Sequence, residues 1–378
     1  MFDYEVLRFI WWTLIGVLLI GFAITDGFDM GVGALLPVIG KTDNERRVMI
    51  NSIAPHWDGN QVWLITAGGS LFAAWPLVYA TSFSGFYLAM MLTLMSLWFR
   101  PVGFDYRSKI EHQHWRAMWD WGIFIGSFIP PIIFGVAFGN LLQGVPFKLS
   151  ELMIPTYTGT FFDLLNPFAI LCGLVSLFMI VTQGATWLQM KTTKELHVRS
   201  RNVAQISAVL TSVAFVLAGF LVQGIDGYVI TSEIMTTAVS NPLNKEVMTM
   251  AGAWFHNYKT YPVLWIAPIF AVFMPLMITV SSRFDYGSLA FLFSSLAITG
   301  IILTAGFAMF PFVMPSSLEP SHSLTMWDST SSELTLGIMT IVAAVMVPII
   351  LAYTIWCYYK MFGRLDSRFI EENETSLY

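Results

Sequence analysis

Nine stretches of about twenty apolar residues follow one another along this chain, and they restrict how it can fold. Lipid offers no hydrogen-bond partner to a backbone amide or carbonyl, so such runs satisfy their own polar groups as helices. The runs lie near 9–36, 51–77, 80–99, 119–142, 164–188, 204–224, 261–281, 287–310 and 335–357. The expected fold is all-α: one integral membrane domain over 1–378 with nine transmembrane helices. Composition agrees, with 56% hydrophobic and 11% charged residues against about 25% charged in soluble domains. Asp3 and Glu5 precede Arg8. A secretory leader would begin basic, so the first run is expected to stay as a helix. The second run is the weakest, because it holds His56, Asp58, Asn60 and Gln61. Hydropathy alone would pass over it and return eight.

Basic residues orient the chain. With the N-terminus periplasmic and nine crossings, the cytoplasmic segments are 38–50, 100–118, 189–203, 282–286 and 358–378. They hold 15 of the 19 Lys and Arg residues, among them Arg46, Arg47, Arg107, Arg116, Lys191, Arg364 and Arg368. Arg8, Lys148, Lys245 and Lys259 are left outside. Basic residues favour the cytoplasmic side of short loops. Dropping the second crossing would move Lys41, Arg46 and Arg47 outside, so nine crossings and a cytoplasmic C-terminus are expected. The longer outer segments, 143–163, 225–260 and 311–334, are expected to be loops.

Ionisable groups at membrane depth are the functional candidates. Asp26 and Asp29 are three apart on the first helix and share a face. Their distance from its cytoplasmic end puts them roughly 10–15 Å deep. His56 and Asp58 enter the second helix from the same side. Arg100 closes the third helix and Asp120 opens the fourth. All six fall in the cytoplasmic half of helices one to four. Graded carboxylates and a histidine suit a proton path; structural ion pairing is the plainer alternative, with Arg100 neutralising Asp29 or Asp120. Asp58 stands out, since no basic residue flanks it. The remaining histidines, His112, His114, His197, His256 and His322, are placed in loops, so only His56 could serve a membrane haem. Trp57 and Trp63 could line an apolar gas or quinone route or pack the core. Trp11, Trp12, Tyr358 and Tyr359 suit an interfacial belt.

Other classes are excluded or weakened. There is no basic stripe for nucleic acid. Cys172 and Cys357 each lie in an apolar run, against a disulfide or thiolate site. No phosphate-binding loop, dinucleotide fingerprint or zinc helix is present, and no catalytic or metal-ligating set is assigned. A proton-coupled secondary transporter is the rival, with Pro130-Pro131 mid-helix as a kink that lines a cavity.

Several blocks resemble subunit II of the cytochrome bd ubiquinol oxidases. They are TDGFDMGVG (25–33), NSIAPHWDGNQVWLITAGG (51–69), LFAAWP (71–76), FRPVGFDYRSK (99–109), GVAFGNLLQGVPF (135–147), QGATWLQMKT (183–192), GIDGY (224–228), SNPLNKEV (240–247), FPFVMPSS (310–317) and LTMWDSTSSELTLGIM (324–339). They run in order from end to end, and the chain is most similar to the proteobacterial, bd-I-like form. The resemblance implies a heterodimeric terminal oxidase of the bacterial inner membrane, built with subunit I and often with small single-helix accessory subunits. It implies oxidation of ubiquinol, reduction of dioxygen to water, and proton uptake from the cytoplasm that builds a proton motive force without pumping. It further implies a low-spin haem b in the partner, and a high-spin haem b and haem d at or near the interface. All their iron ligands belong to subunit I. This subunit would support assembly of the high-spin and d haems. Asp58 matches the family's proton route, with His56 and Asp26 as candidate helpers. Trp63 matches a residue associated with oxygen access. Asp29, Arg100 and Asp120 match positions associated with haem-site integrity. A structural quinone is implied without assigned contacts.

Overall fold

The structure, a computed structural model, describes residues 3–366; Arg368 of the basic set above lies outside them. Each of the nine apolar runs is helical over most of its length. In order the elements are α1 (Tyr4–Ile39), α2 (Asp43–Asn51), α3 (Trp57–Ala74), α4 (Pro76–Gly85), α5 (Tyr87–Tyr106), α6 (Gln113–Gln143), β1 (Phe147–Leu149), β2 (Pro155–Tyr157), α7 (Pro167–Lys191), α8 (Lys194–Val222), β3 (Asp226–Ile230), β4 (Val247–Ala251), α9 (His256–Thr260), α10 (Ile266–Arg283), α11 (Gly287–Met309), β5 (Phe312–Met314), β6 (Leu324–Thr325) and α12 (Glu333–Lys360). Among the described residues, eight helices are long and apolar enough to cross a membrane: α1, α5, α6, α7, α8, α10 with the turn before it, α11 and α12. α3 is not one of them, as its polar first turn foretold.

The second and third runs differ most from expectation. The second is not one helix. α2 ends at Asn51, a turn carries Pro55, and α3 starts only at Trp57. Proline disfavours helix in the residue before it. A second break falls at Trp75 (φ −130°, ψ 68°), with Pro76 opening α4. The crossing helix of the third run is therefore α5, which continues to Tyr106. Arg100, expected at a helix end, lies six residues inside it, roughly 9 Å along the axis.

Local signals fix several ends. Thr42 and Glu45 form a reciprocal capping box on α2. Asn166 caps α7 through Ala169 N, with Pro167 at the first helical position. α7 is the most enclosed of the eight long helices and α12 the least. α1, α6, α8 and α11 all pack against α7. The α1–α7 crossing rests on glycine: a Cβ on Gly31 would lie 2.2 Å from Ile180 O and 2.7 Å from Gly184 Cα. Small residues let helix backbones approach where no hydrophobic force drives them together.

At the end where α1 begins, the segments expected as loops form three antiparallel hairpins, β1–β2, β3–β4 and β5–β6. They close over Arg8, which was placed in a solvated segment but lies inside α1 and is fully buried. Its guanidinium donates to Thr330 Oγ1 (3.0 Å), Ala238 O (2.9 Å) and Ser240 Oγ (3.0 Å) and stacks 3.7 Å over Tyr4. Lys245 and Asp328 form a second buried pair there at 2.9 Å.

Gly31→Ala or Gly184→Ala should destabilise the protein by about 1–3 kcal/mol, the usual cost of overpacking. Gly16→Ala, with nothing within 4 Å of the added carbon, should not. Thermal unfolding of the purified protein compares the three.

Candidate functional site

The deepest charges of the chain meet at one point. Arg100 of α5 donates through Nη2 to Asp26 Oδ1 of α1 at 2.6 Å, and neither side chain has any exposed surface. Asp29, one turn further along α1, is also fully buried. Its Oδ2 accepts from Asn60 Nδ2 of α3 at 2.8 Å, and Asn60 Oδ1 in turn accepts from the Tyr358 hydroxyl of α12 at 2.5 Å. The His56 ring stacks on Tyr358 with centroids 4.5 Å apart and planes 10° from parallel. Four helices thus converge on one polar network. Arg100 Nε and Nη1, Asp26 Oδ2 and Asp29 Oδ1 have no hydrogen-bond partner among the described residues. α6 approaches Arg100 because Gly126 presents no side chain; a Cβ there would sit 2.5 Å from Ser96 O.

This corrects the expected pairing. Arg100 is held by Asp26 rather than by Asp29 or Asp120. The depth changes as well: α1 extends to Ile39, so Asp29 and Asp26 lie 10 and 13 residues from its end, roughly 15–20 Å.

Asp120 belongs to a second, shallower cluster. It accepts from Arg107 Nε at 2.5 Å and Arg46 Nη1 at 2.7 Å. Arg107 also reaches Asp43 at 2.8 Å, and Asp43 takes Arg116 at 2.7 Å. α2, α5 and α6 are so tied in a ladder from the buried Asp120 toward the surface. Next to it Glu45 accepts from the Arg199 guanidinium of α8, and from Lys41 N at 2.8 Å and Thr42 N at 3.2 Å. Partial burial pushes the Glu45 carboxyl up, but the Lys41 amide, Arg199 and the Thr42 amide outweigh it and hold its pKa below the usual 4.5.

Asp58 lies two residues before Asn60, yet it faces outward from the first turn of α3 and is exposed. No hydrogen bond or ion pair joins it to Asp26 or His56 among the described residues. Trp63, two turns of helix from Trp57, lies against α1, where Gly21 leaves room for it: a Cβ on Gly21 would fall 2.4 Å from the indole. It joins Phe22, Leu97 and Ile298 in a packed cluster.

Some participants were not anticipated. Tyr358 was assigned to an interfacial belt but is half-buried and bonded to Asn60. A tyrosine in an apolar run carries no signal that separates the two roles. Arg46 and Arg107 were counted only for orientation. Trp187 stacks on Phe28 at 4.0 Å beneath His56. His197, placed in a loop, is buried on α8.

Haem needs a ligand nitrogen or sulfur aimed at iron. His197 uses both ring nitrogens, Nδ1 on Gln189 O at 2.8 Å and Nε2 on Asp285 Oδ1 at 2.6 Å. His56 is stacked on an aromatic ring. No group of three or more His, Cys, Asp or Glu residues among the described residues could hold a metal ion.

The comparisons with known proteins agree with one another. The family model for cytochrome bd terminal oxidase subunit II matches residues 7–361. The chain is 65% identical over 379 residues to cytochrome bd-I ubiquinol oxidase subunit 2 of Escherichia coli K12, covering both chains completely. It is 62% identical over 378 residues to a probable cytochrome oxidase subunit 2 of Haemophilus influenzae, again over both full lengths. It is 32% identical over 360 residues to cytochrome bd ubiquinol oxidase subunit 2 of Bacillus subtilis, covering 95% of this chain and 97% of that one. The fold matches a chain in the structure of bd oxidase from Geobacillus thermodenitrificans with a TM-score of 0.68 at 12% identity, covering 95% of this chain and all of that one.

The Glu45 contacts predict an acid-sensitive joint between α2 and α8. A carboxyl whose folded pKa is lowered adds stability above its unfolded value of 4.5, and that stability is lost as pH falls through the folded value. Glu45→Gln should therefore lower stability at neutral pH and flatten the loss below pH 4.5. Unfolding midpoints across that range measure it.

Proposed function

The chain belongs to the cytochrome bd terminal oxidase subunit II family, and from that membership we propose that it works beside a subunit I in a complex that oxidises ubiquinol and reduces dioxygen to water. The family makes it part of a membrane-bound quinol oxidase, which leaves the transporter reading without support. The finer assignments below are ours: a low-spin haem b held by the partner, a high-spin haem b and haem d at or near the subunit interface, all ligands in subunit I, and small single-helix accessory subunits around the pair.

We assign α3 as a ninth crossing. Its 18 residues span about 27 Å, close to a hydrocarbon core of about 30 Å. With nine crossings and the basic bias of the loops, we assign the N-terminus to the periplasm and the C-terminus to the cytoplasm of a bacterial inner membrane, with residues 1–378 as one integral unit.

The observation that carries the mechanism is the exposure of Asp58. Asp58 is the second residue of α3, at the cytoplasmic end of that crossing, and its carboxylate is exposed there. Gly59, Thr66 and Gly69 are exposed on the same helix, beside the exposed Val62 and Ile65. A face of this kind suits a protein partner better than lipid, so subunit I is assigned to cover it. Asp58 then lies at the interface, where it can receive protons from the cytoplasm and hand them to the partner, the step that makes turnover electrogenic.

The buried network backs that role. Arg100 and Asp26 fix the field beneath α3. Asp29 and Tyr358 hold Asn60, two residues from Asp58, and His56 is set by its stack on Tyr358. We therefore place Asp58 as the proton carrier, His56 and Asp26 as its positioning and electrostatic support, and Asp29, Arg100 and Asp120 as supports of the interface on which haem assembly depends. Trp63 is assigned to the wall of an oxygen route along the α1–α3 seam. An apolar cavity of about 470 Å³ bordered by Phe22, Met30, Pro131, Cys172, Met179 and Trp254 is our assignment for a structural quinone. Pro131 lies on its wall, inside the continuous helix α6.

Asp58→Asn should slow oxygen consumption by on the order of 10²-fold, the usual worth of a positioned proton-transfer group, while haem content stays intact; wild-type turnover in that variant would contradict the assignment. Arg100→Met and Asp120→Asn should instead lower haem d content before quinol affinity changes. Quantitative haem extraction measures it, and full haem stoichiometry with lost turnover would oppose a support role.

A further inference from the structure

We propose that the cavity at the Lys191 end of α7 binds a phosphate group, supplied by an anionic phospholipid. The cavity measures about 400 Å³ and lies between the end of α7, the first turn of α11 and the segment after α12. Its walls include Lys191, Asp285, Ser288, Leu289, Phe362 and Arg364.

Three features favour an anion there. Lys191 is 5% exposed, and no acidic side chain pairs with it among the described residues. Among the described residues its ammonium meets Met361 O at 2.9 Å and the faces of Trp187 and Phe362 at 5.1 and 5.2 Å. A buried cation without a counter-charge is costly unless one is supplied. Arg364, also on the wall, is exposed and forms no ion pair with a described residue. Finally, α11 opens into the cavity without a side-chain cap. Its free amides and positive dipole end suit an anion.

The cavity is built rather than incidental. Leu365 N donates to Lys191 O at 2.7 Å, so the segment carrying Phe362 and Arg364 is stapled to α7 from both sides of Lys191. Asp285 is the acidic wall residue among the described residues. It is turned to His197 at 2.6 Å and sits in the left-handed region at φ 64°, a conformation that aspartate tolerates better than most residues.

A lipid explains the setting better than a free anion. The cavity lies at the ends of long apolar helices, and its rim exposes Phe362 (72%) and Leu289 (46%). Cations beside exposed apolar side chains at a helix end match the headgroup level of a bilayer.

The test uses the intact oxidase complex in detergent. Native mass spectrometry would count phosphatidylglycerol and phosphatidylcholine retained by the wild type, Arg364→Gln, Arg364→Lys and Lys191→Gln. We expect the wild type and Arg364→Lys to keep one more phosphatidylglycerol than Arg364→Gln and Lys191→Gln, with no difference for phosphatidylcholine. Arg364 is exposed, so Arg364→Gln keeps the test valid should Lys191→Gln not assemble. Equal phosphatidylglycerol retention in the wild type and Arg364→Gln overturns the proposal. Equal phosphatidylglycerol retention, with one bound inorganic phosphate kept by the wild type and lost from Arg364→Gln, would overturn the lipid as the source.

Discussion

One guanidinium enclosed with two carboxylates sets the arrangement of this molecule. Arg100, Asp26 and Asp29 have no exposed surface. Removing one partner of a buried pair typically costs about 3–5 kcal/mol, because the other charge is left unpaired in a poor dielectric. α1 and α5 must therefore meet at one height. Asn60 and Tyr358 extend the same condition to α3 and α12. Apolar helices in lipid slide past one another at little cost. A polar contact of this kind fixes their register, a role well attested for buried polar groups.

Close packing makes that meeting possible. Gly31 and Gly184 bring α1 and α7 to backbone contact, Gly126 opens the space beside Arg100, and Gly21 admits Trp63. At one end of the bundle the Asp120, Arg107 and Arg46 ladder locks α2, α5 and α6; at the other, hairpins enclose Arg8. The ionisable groups are thus graded, from a sealed centre through a half-buried ladder to Asp58 on an open face.

The sequence disclosed most of the helices because lipid imposes a strong periodic demand. Eight of the nine apolar runs contain a helix long and apolar enough to cross. It disclosed the site residues as types but not as pairs. Asp26, Asp29, Arg100 and Asp120 were visible as costly charges in apolar surroundings. Which one Arg100 would hold depended on where α5 ends, at Tyr106 rather than at Arg100, and hydropathy does not mark that end. Tyr358 and Trp187 were hidden among many aromatics, since only long-range packing distinguishes a network tyrosine from an interfacial one. Arg8 and His197 were taken for loop residues because polar character near a run end resembles solvation. The hairpins escaped notice for a related reason: their strands are at most five residues long, too short for an alternating pattern.

The most direct test of the central interaction is a double-mutant cycle on Asp26 and Arg100 in the assembled complex, reading unfolding free energy for Asp26→Asn, Arg100→Met and the two together. If the pair fixes the register of α1 and α5, each single change leaves a buried charge and the double change removes both. The double variant should then be more stable than the sum of the singles predicts by at least about 2 kcal/mol, well above the error of additivity for independent sites. Simple additivity would mean that the two groups do not depend on each other, and the account would lose its foundation.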